Sequence, residues 1–125
     1  MNKQQFEKGL AVRRAVVGDT YVDNALKNAD DFSMPMQELV TEFCWGEVWT
    51  RPGLDRRSRS ILNLGMIAAL NRPEELATHV RGAITNGVTK DEIKECFLQV
   101  AVYVGMPAGL GCFKIARQVF KEMGI

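Results

Sequence analysis

The sequence is poor in the residues that build metal sites and disulfide frameworks: one histidine, three cysteines and four prolines among 125 residues. Cys44, Cys96 and Cys112 form no CxxC pair and no Cys/His group with ligand spacing. No zinc or other metal site is expected, and the three thiols read as small core or interface residues. No segment approaches the roughly 18 uninterrupted apolar residues of a membrane span, and the opening MNKQQFEKGL lacks the core of a signal peptide. A cytoplasmic location is the expectation. Neither sign of charge is in excess, with 16 basic against 15 acidic residues, so no nucleic-acid or membrane partner is implied. A glycine-rich phosphate cradle and a serine nucleophile elbow are also missing, which excludes the commonest phosphoryl- and acyl-transfer signatures.

What is present is an ordinary core-forming composition, 46% hydrophobic and 25% charged, in one expected domain over residues 1–125. A chain of this size buries roughly two thirds of its unfolded surface and needs no metal or disulfide to fold. The apolar residues recur at three and four, never at two, so the expected fold is all-α with about six to seven helices. Phe6, Leu10, Val16 and Val17 give a first helix stopped by Gly18, and Asp19 or Thr20 is placed to cap a short second one through Leu26. Ser33 and Pro35 open a helix that carries Leu39, Val40 and Phe43 towards Trp45. Arg51-Pro52-Gly53 is the clearest break in the chain.

Beyond it, Asp55 is placed to cap a helix whose Ile61, Leu62, Leu64, Met66, Ile67 and Leu70 leave almost no polar face, the pattern of a rod buried on most sides or in an oligomer interface. Asn71 with Glu74 resembles a capping box opening the next helix, which runs to Gly87. Thr89 with Glu92 is a second box, and the helix after it stops at Gly105, with Pro107 in the first turn of the last. So many apolar helix faces in so short a chain point to a homo-oligomer.

Chemistry-bearing residues concentrate between Trp45 and His79. His79 borders an apolar stripe, and Glu75 one turn earlier would favour the charged imidazolium, making the ring a proton donor near neutral pH. A boundary histidine that only hydrogen-bonds a neighbour is the plain alternative. Arg51, Arg56, Arg57 and Arg59 surround a turn and a helix start, where guanidinium forks and backbone N–H groups both favour anions. Arg51 and Arg57, each beside an aromatic or apolar patch, are the candidate carboxylate contacts, against a solvated face salt-bridged to Asp55 and Glu47. Trp45 and Trp49 lie four apart, as core packing or as a pocket wall with Glu47 as its acid. Tyr103, at a helix end, is either structural or a hydroxyl donor to an oxyanion.

The blocks GLAVRRAVVGDTYVD, WGEVWTRPGLDRRSRSILNLGMIAAL, THVRGAITNGVTKDEIKE and VYVGMPA, in that order, resemble the carboxymuconolactone decarboxylase family over nearly the whole chain. Tyr21 departs from it, standing where the family pattern has histidine. The resemblance implies an all-helical subunit of the alkylhydroperoxidase D-like superfamily, assembled as a hexamer of three dimers. It also implies cofactor-free conversion of 4-carboxymuconolactone to 3-oxoadipate enol-lactone and CO2 in aromatic catabolism. Under it, Arg51 and Arg57 hold carboxylates, His79 transfers the proton with Glu47 orienting or assisting, Tyr103 steadies the oxyanion, and Trp45 and Trp49 exclude water. A member that binds a small acid without turning it over is the alternative. The superfamily's thiol peroxidases need a glutamate and a CxxC pair, whose places here hold Ser60, Arg72 and Glu75, so that chemistry is not expected.

Overall fold

The computed structural model describes residues 1–125, all of it helix and connecting turn. Seven α-helices and one π-helix follow one another: α1 Lys3–Val17, α2 Asp19–Lys27, α3 Met34–Leu39, the π-helix Val40–Val48, α4 Arg56–Leu70, α5 Pro73–Thr85, α6 Lys90–Tyr103 and α7 Met106–Met123. They form two compact units, Met1–Asp55 and Arg56–Ile125, divided just after the Arg51-Pro52-Gly53 break. No helix is long and apolar enough to cross a membrane.

In the first unit α1 lies along the π-helix over a core of Val12, Val16, Val17, Val22, Trp45 and Trp49. Two glycines set how close the pair comes. A Cβ on Gly9 would stand 1.9 Å from the Thr41 carbonyl oxygen, and one on Gly46 would stand 2.6 Å from the Gln5 carbonyl oxygen. Gly18, at φ 91°, turns the chain from α1 straight into α2. The cap expected there from Asp19 or Thr20 is not made, because Asp19 and Asp23 both turn back to Arg14 at 3.3 and 2.8 Å. The helix expected towards Trp45 is there, but its second half is wound wider, the Trp49 amide bonding the Cys44 carbonyl at 3.0 Å. Short π segments within helices are frequent at functional sites, and this one runs nine residues.

The second unit is a four-helix arrangement in which α4 packs on α5, α5 on α7, α7 on α6 and α6 on α4. Leu64, Ala68, Leu76, Val80, Ala83, Ile93, Phe97, Val100, Cys112, Ala116 and Val119 fill it. The Thr89–Glu92 capping box forms as expected, with both reciprocal bonds near 3 Å. The Asn71–Glu74 box does not. Asn71 adopts a left-handed conformation, φ 56°, that ends α4, and Arg72 stands before a helix opened by Pro73.

Nor is α4 enclosed on most sides within the chain. It buries only Ser60, Leu64 and Ala68, while Leu62, Met66 and Leu70 form an exposed stripe at four-residue spacing. Four helices in a ring leave each one an outer face, and here that face is apolar.

Candidate active site

The candidate residues fall into two groups. Trp45, Glu47, Trp49 and Arg51 belong to the first unit; Arg57, His79 and Tyr103 belong to the second. In the first, the π-helix carries Trp45 and Trp49 inward as a buried stack, ring centroids 4.7 Å apart and planes 23° apart. Glu47 and Arg51 take the outer side, a guanidinium nitrogen 3.7 Å from the carboxylate, both well exposed. An exposed i,i+4 pair of this length contributes little to folding, so its arginine is readily diverted to another carboxylate.

His79 lies on α5, half-buried, with its Nδ1 shielded from solvent. Burial is the larger influence on it and pushes the imidazole below the ordinary histidine value; the Glu75 carboxylate pulls the other way and loses. Glu75 does not dominate as expected: burial outweighs it and favours the neutral ring in the free protein. Because the folded state disfavours the charged form, stability from this residue is complete above the ordinary value of about 6.5 and is lost as pH falls through the lowered folded value. Urea midpoints taken between pH 7 and pH 5 should drop more steeply for the parent than for His79→Gln. Equal slopes would show that the ring does not resist protonation.

Arg57, in the first turn of α4, is engaged by Glu92 in the first turn of α6. Sequence reasoning had not paired the two with each other. The signal for Glu92 was there, since the capping box fixes where its side chain begins, but its second oxygen was left unassigned. Arg57 and Glu92 head the seam between α4 and α6. Farther down it, Ile61 and Gly65 face Cys96, Gln99 and Tyr103 around a groove of about 330 Å³, so the two helices run in the same direction. Tyr103 is 79% exposed at the far end of α6, and eleven residues past Glu92 is about 16 Å along the helix. With Arg57 held at Glu92, those two residues do not meet around one small molecule in the same chain.

Sequence reasoning also missed Arg13. It sits in the buried stripe of α1, 4% exposed, donating from Nη1 to Gln37 Oε1 and Thr41 Oγ1 at 3.0 Å each, with the Tyr21 ring centroid 5.8 Å from its guanidinium carbon. Its place at i+4 from Gly9 and i−3 from Val16 was the available signal. Tyr21, the departure from the family pattern, thus gives this cation an aromatic face.

The thiols favour no redox role. Burial raises the pKa of Cys44, Cys96 and Cys112 alike, keeping each protonated. The first unit offers an exposed guanidinium and a stacked aromatic pair, and the second a guanidinium and an imidazole that an anion would charge; each is of a kind suited to a small carboxylic acid.

Comparison with known proteins points the same way. The model of the carboxymuconolactone decarboxylase family matches residues 35–118. The chain is 43% identical over 124 residues to 4-carboxymuconolactone decarboxylase of Acinetobacter baylyi, covering 99% of this chain and 92% of that protein. It is 46% identical over 123 residues to a nitrosuccinic acid decarboxylase of Metarhizium robertsii, covering 98% and 86%. A 4-carboxymuconolactone decarboxylase from Pseudomonas putida is 42% identical over 45 residues, 36% of this chain and 94% of that sequence.

Proposed function

Because the chain belongs to the carboxymuconolactone decarboxylase family, we propose that it is a carboxy-lyase that converts 4-carboxymuconolactone to 3-oxoadipate enol-lactone and CO2 without a cofactor. The observation that carries this reading is near-full-length identity to a protein of that activity, joined to a set of side chains suited to a small acid. In this reaction the bond to the departing carboxylate breaks and its electron pair enters the unsaturated lactone, so the substrate is its own electron sink. The protein then has to hold anions, exclude water and return a proton to carbon.

Arg51 and Arg57 hold carboxylates, each leaving its present acidic partner, Glu47 or Glu92, to do so. The arriving negative charge raises the pKa of His79, so the ring takes up a proton on binding and gives it to the carbanion carbon after CO2 leaves. Glu47, released from Arg51, serves as the orienting or second acid/base group, and Trp45 with Trp49 excludes water. Tyr103 enters only in an oligomer, where its hydroxyl meets the developing oxyanion of a substrate held by another copy. The exposed stripe of Leu62, Met66 and Leu70 supports such an assembly, taken as a hexamer of three dimers in the cytoplasm.

A second reading has a specific observation behind it, the 46% identity to the nitrosuccinic acid enzyme. There too a carboxylate sits on a carbon whose electron pair an adjacent group, the nitro, would accept. The test is CO2 release from both acids by the purified chain. Turnover of the lactone with kcat/KM at least tenfold above that for nitrosuccinate fits the first reading, the reverse ratio fits the second, and release from neither refutes both.

A further inference from the structure

The outer face of α6 and α7 carries a groove of about 480 Å³ that none of the proposed chemistry uses. Its floor is apolar: the half-buried Phe113 and Phe120 line it above the fully buried Ile93 and Phe97, and Phe113 meets Phe97 edge to face, centroids 6.2 Å apart. Its rim is cationic. Lys90 and Lys94 on α6 and Arg117 and Lys121 on α7 line it, and Asp91 is the single acidic side chain among its lining residues.

Lys121, in the last turn of α7, suits its helix end, but the spacing of these charges does not favour their helices. Lys90 with Lys94, and Arg117 with Lys121, are like-charged pairs four residues apart, an arrangement that destabilises an isolated helix. Asp91 answers one of the four, lying 3.4 Å from Lys94. The Lys90 ammonium sits 5.1 Å from the Phe120 ring centroid, and neither Arg117 nor Lys121 has a carboxylate partner. Two helices thus present three cations without a side-chain carboxylate partner, facing one another over aromatic rings.

We propose that this groove is a binding site for a small aromatic carboxylate, distinct from the decarboxylation site. The volume falls within the roughly 300–1,000 Å³ of small-molecule sites. The phenylalanine floor takes a flat ring, and the rim, Arg117 above all, takes the carboxylate in a geometry suited to its fork. A neutral arene would leave the cations unanswered, and a small inorganic anion would leave the floor open.

The test uses 2-naphthoate as probe, with 2-acetylnaphthalene as the neutral control, by calorimetry and by amide shift mapping on the full chain. One equivalent of naphthoate per chain is expected to bind with Kd below about 1 mM. Shifts should fall around Phe97, Phe113 and Phe120, and the neutral control should bind at least tenfold more weakly. The double variant Lys94→Glu/Arg117→Glu, both positions at the surface and outside the decarboxylation machinery, should lose at least tenfold in affinity with kcat unchanged. Equal affinity in that variant, equal binding of the neutral control, or shifts centred on His79 would each overturn the proposal.

Discussion

Replacing His79 with glutamine is expected to lower kcat for decarboxylation by about 10²–10⁴-fold, the usual worth of a general acid. Glutamine approximates the size and polarity of imidazole but cannot carry the transferred proton. The structure adds a second, sharper expectation. Since burial favours the neutral ring in the free protein, a proton is expected to be taken up when an anionic substrate binds. Calorimetric titration of the parent with a non-reacting dicarboxylate, in buffers of different ionisation enthalpy, should show net proton uptake near pH 7.5; the variant should show less. A kcat within a few-fold of the parent, or binding with no proton uptake in either protein, would remove His79 from the reaction.

The largest expected effect on stability comes from Gly9→Ala. The added methyl would meet the Thr41 carbonyl oxygen at 1.9 Å and the Gly46 amide nitrogen at 2.7 Å. Both obstacles are backbone, so neither can rotate away, and α1 and the π-helix must separate. Overpacking ordinarily destabilises by about 1–3 kcal/mol, and a clash with main chain belongs at the upper end or beyond. That corresponds to a fall in Tm of roughly 10 °C for a chain of this length. Gly53→Ala, where nothing lies within 4 Å, is the control and should leave Tm almost unmoved. An unchanged Tm for Gly9→Ala would mean that this helix contact does not hold the first unit together.

Much of the fold was legible because helix boundaries here are written in local chemistry. Gly18, Gly87, Gly105 and the Thr89–Glu92 box act where they stand, within a turn of the residues they end or begin. The misjudged boundaries depended on competition. Asp19 had a choice between a helix start and Arg14, and Asn71 between opening one helix and closing another. The π-helix was not legible, since residue spacing over Val40–Val48 does not distinguish the wider winding from an α-helix, and its close approach to α1 at Gly9 and Gly46 is a contact 37 residues apart in sequence.

The candidate site divides the same way. That Trp45 would meet Trp49 and Arg51 would meet Glu47 followed from four-residue spacing. Arg57 with Glu92, Arg13 among neutral partners, and the direction in which the His79 pKa moves all rest on tertiary surroundings. In each, a residue read correctly as charged or titratable meets a neighbour that no local pattern could name.

Glu92 has two tasks at once. One carboxylate oxygen closes the start of α6 through the Thr89 amide, and the other grips Arg57 on the neighbouring helix. It is a clasp joining the heads of two rods, and an acid that coaxes the guanidinium away leaves it fastened at one end only. Without that guanidinium, as in Arg57→Ala, the opening turn of α6 would be held by its own box alone.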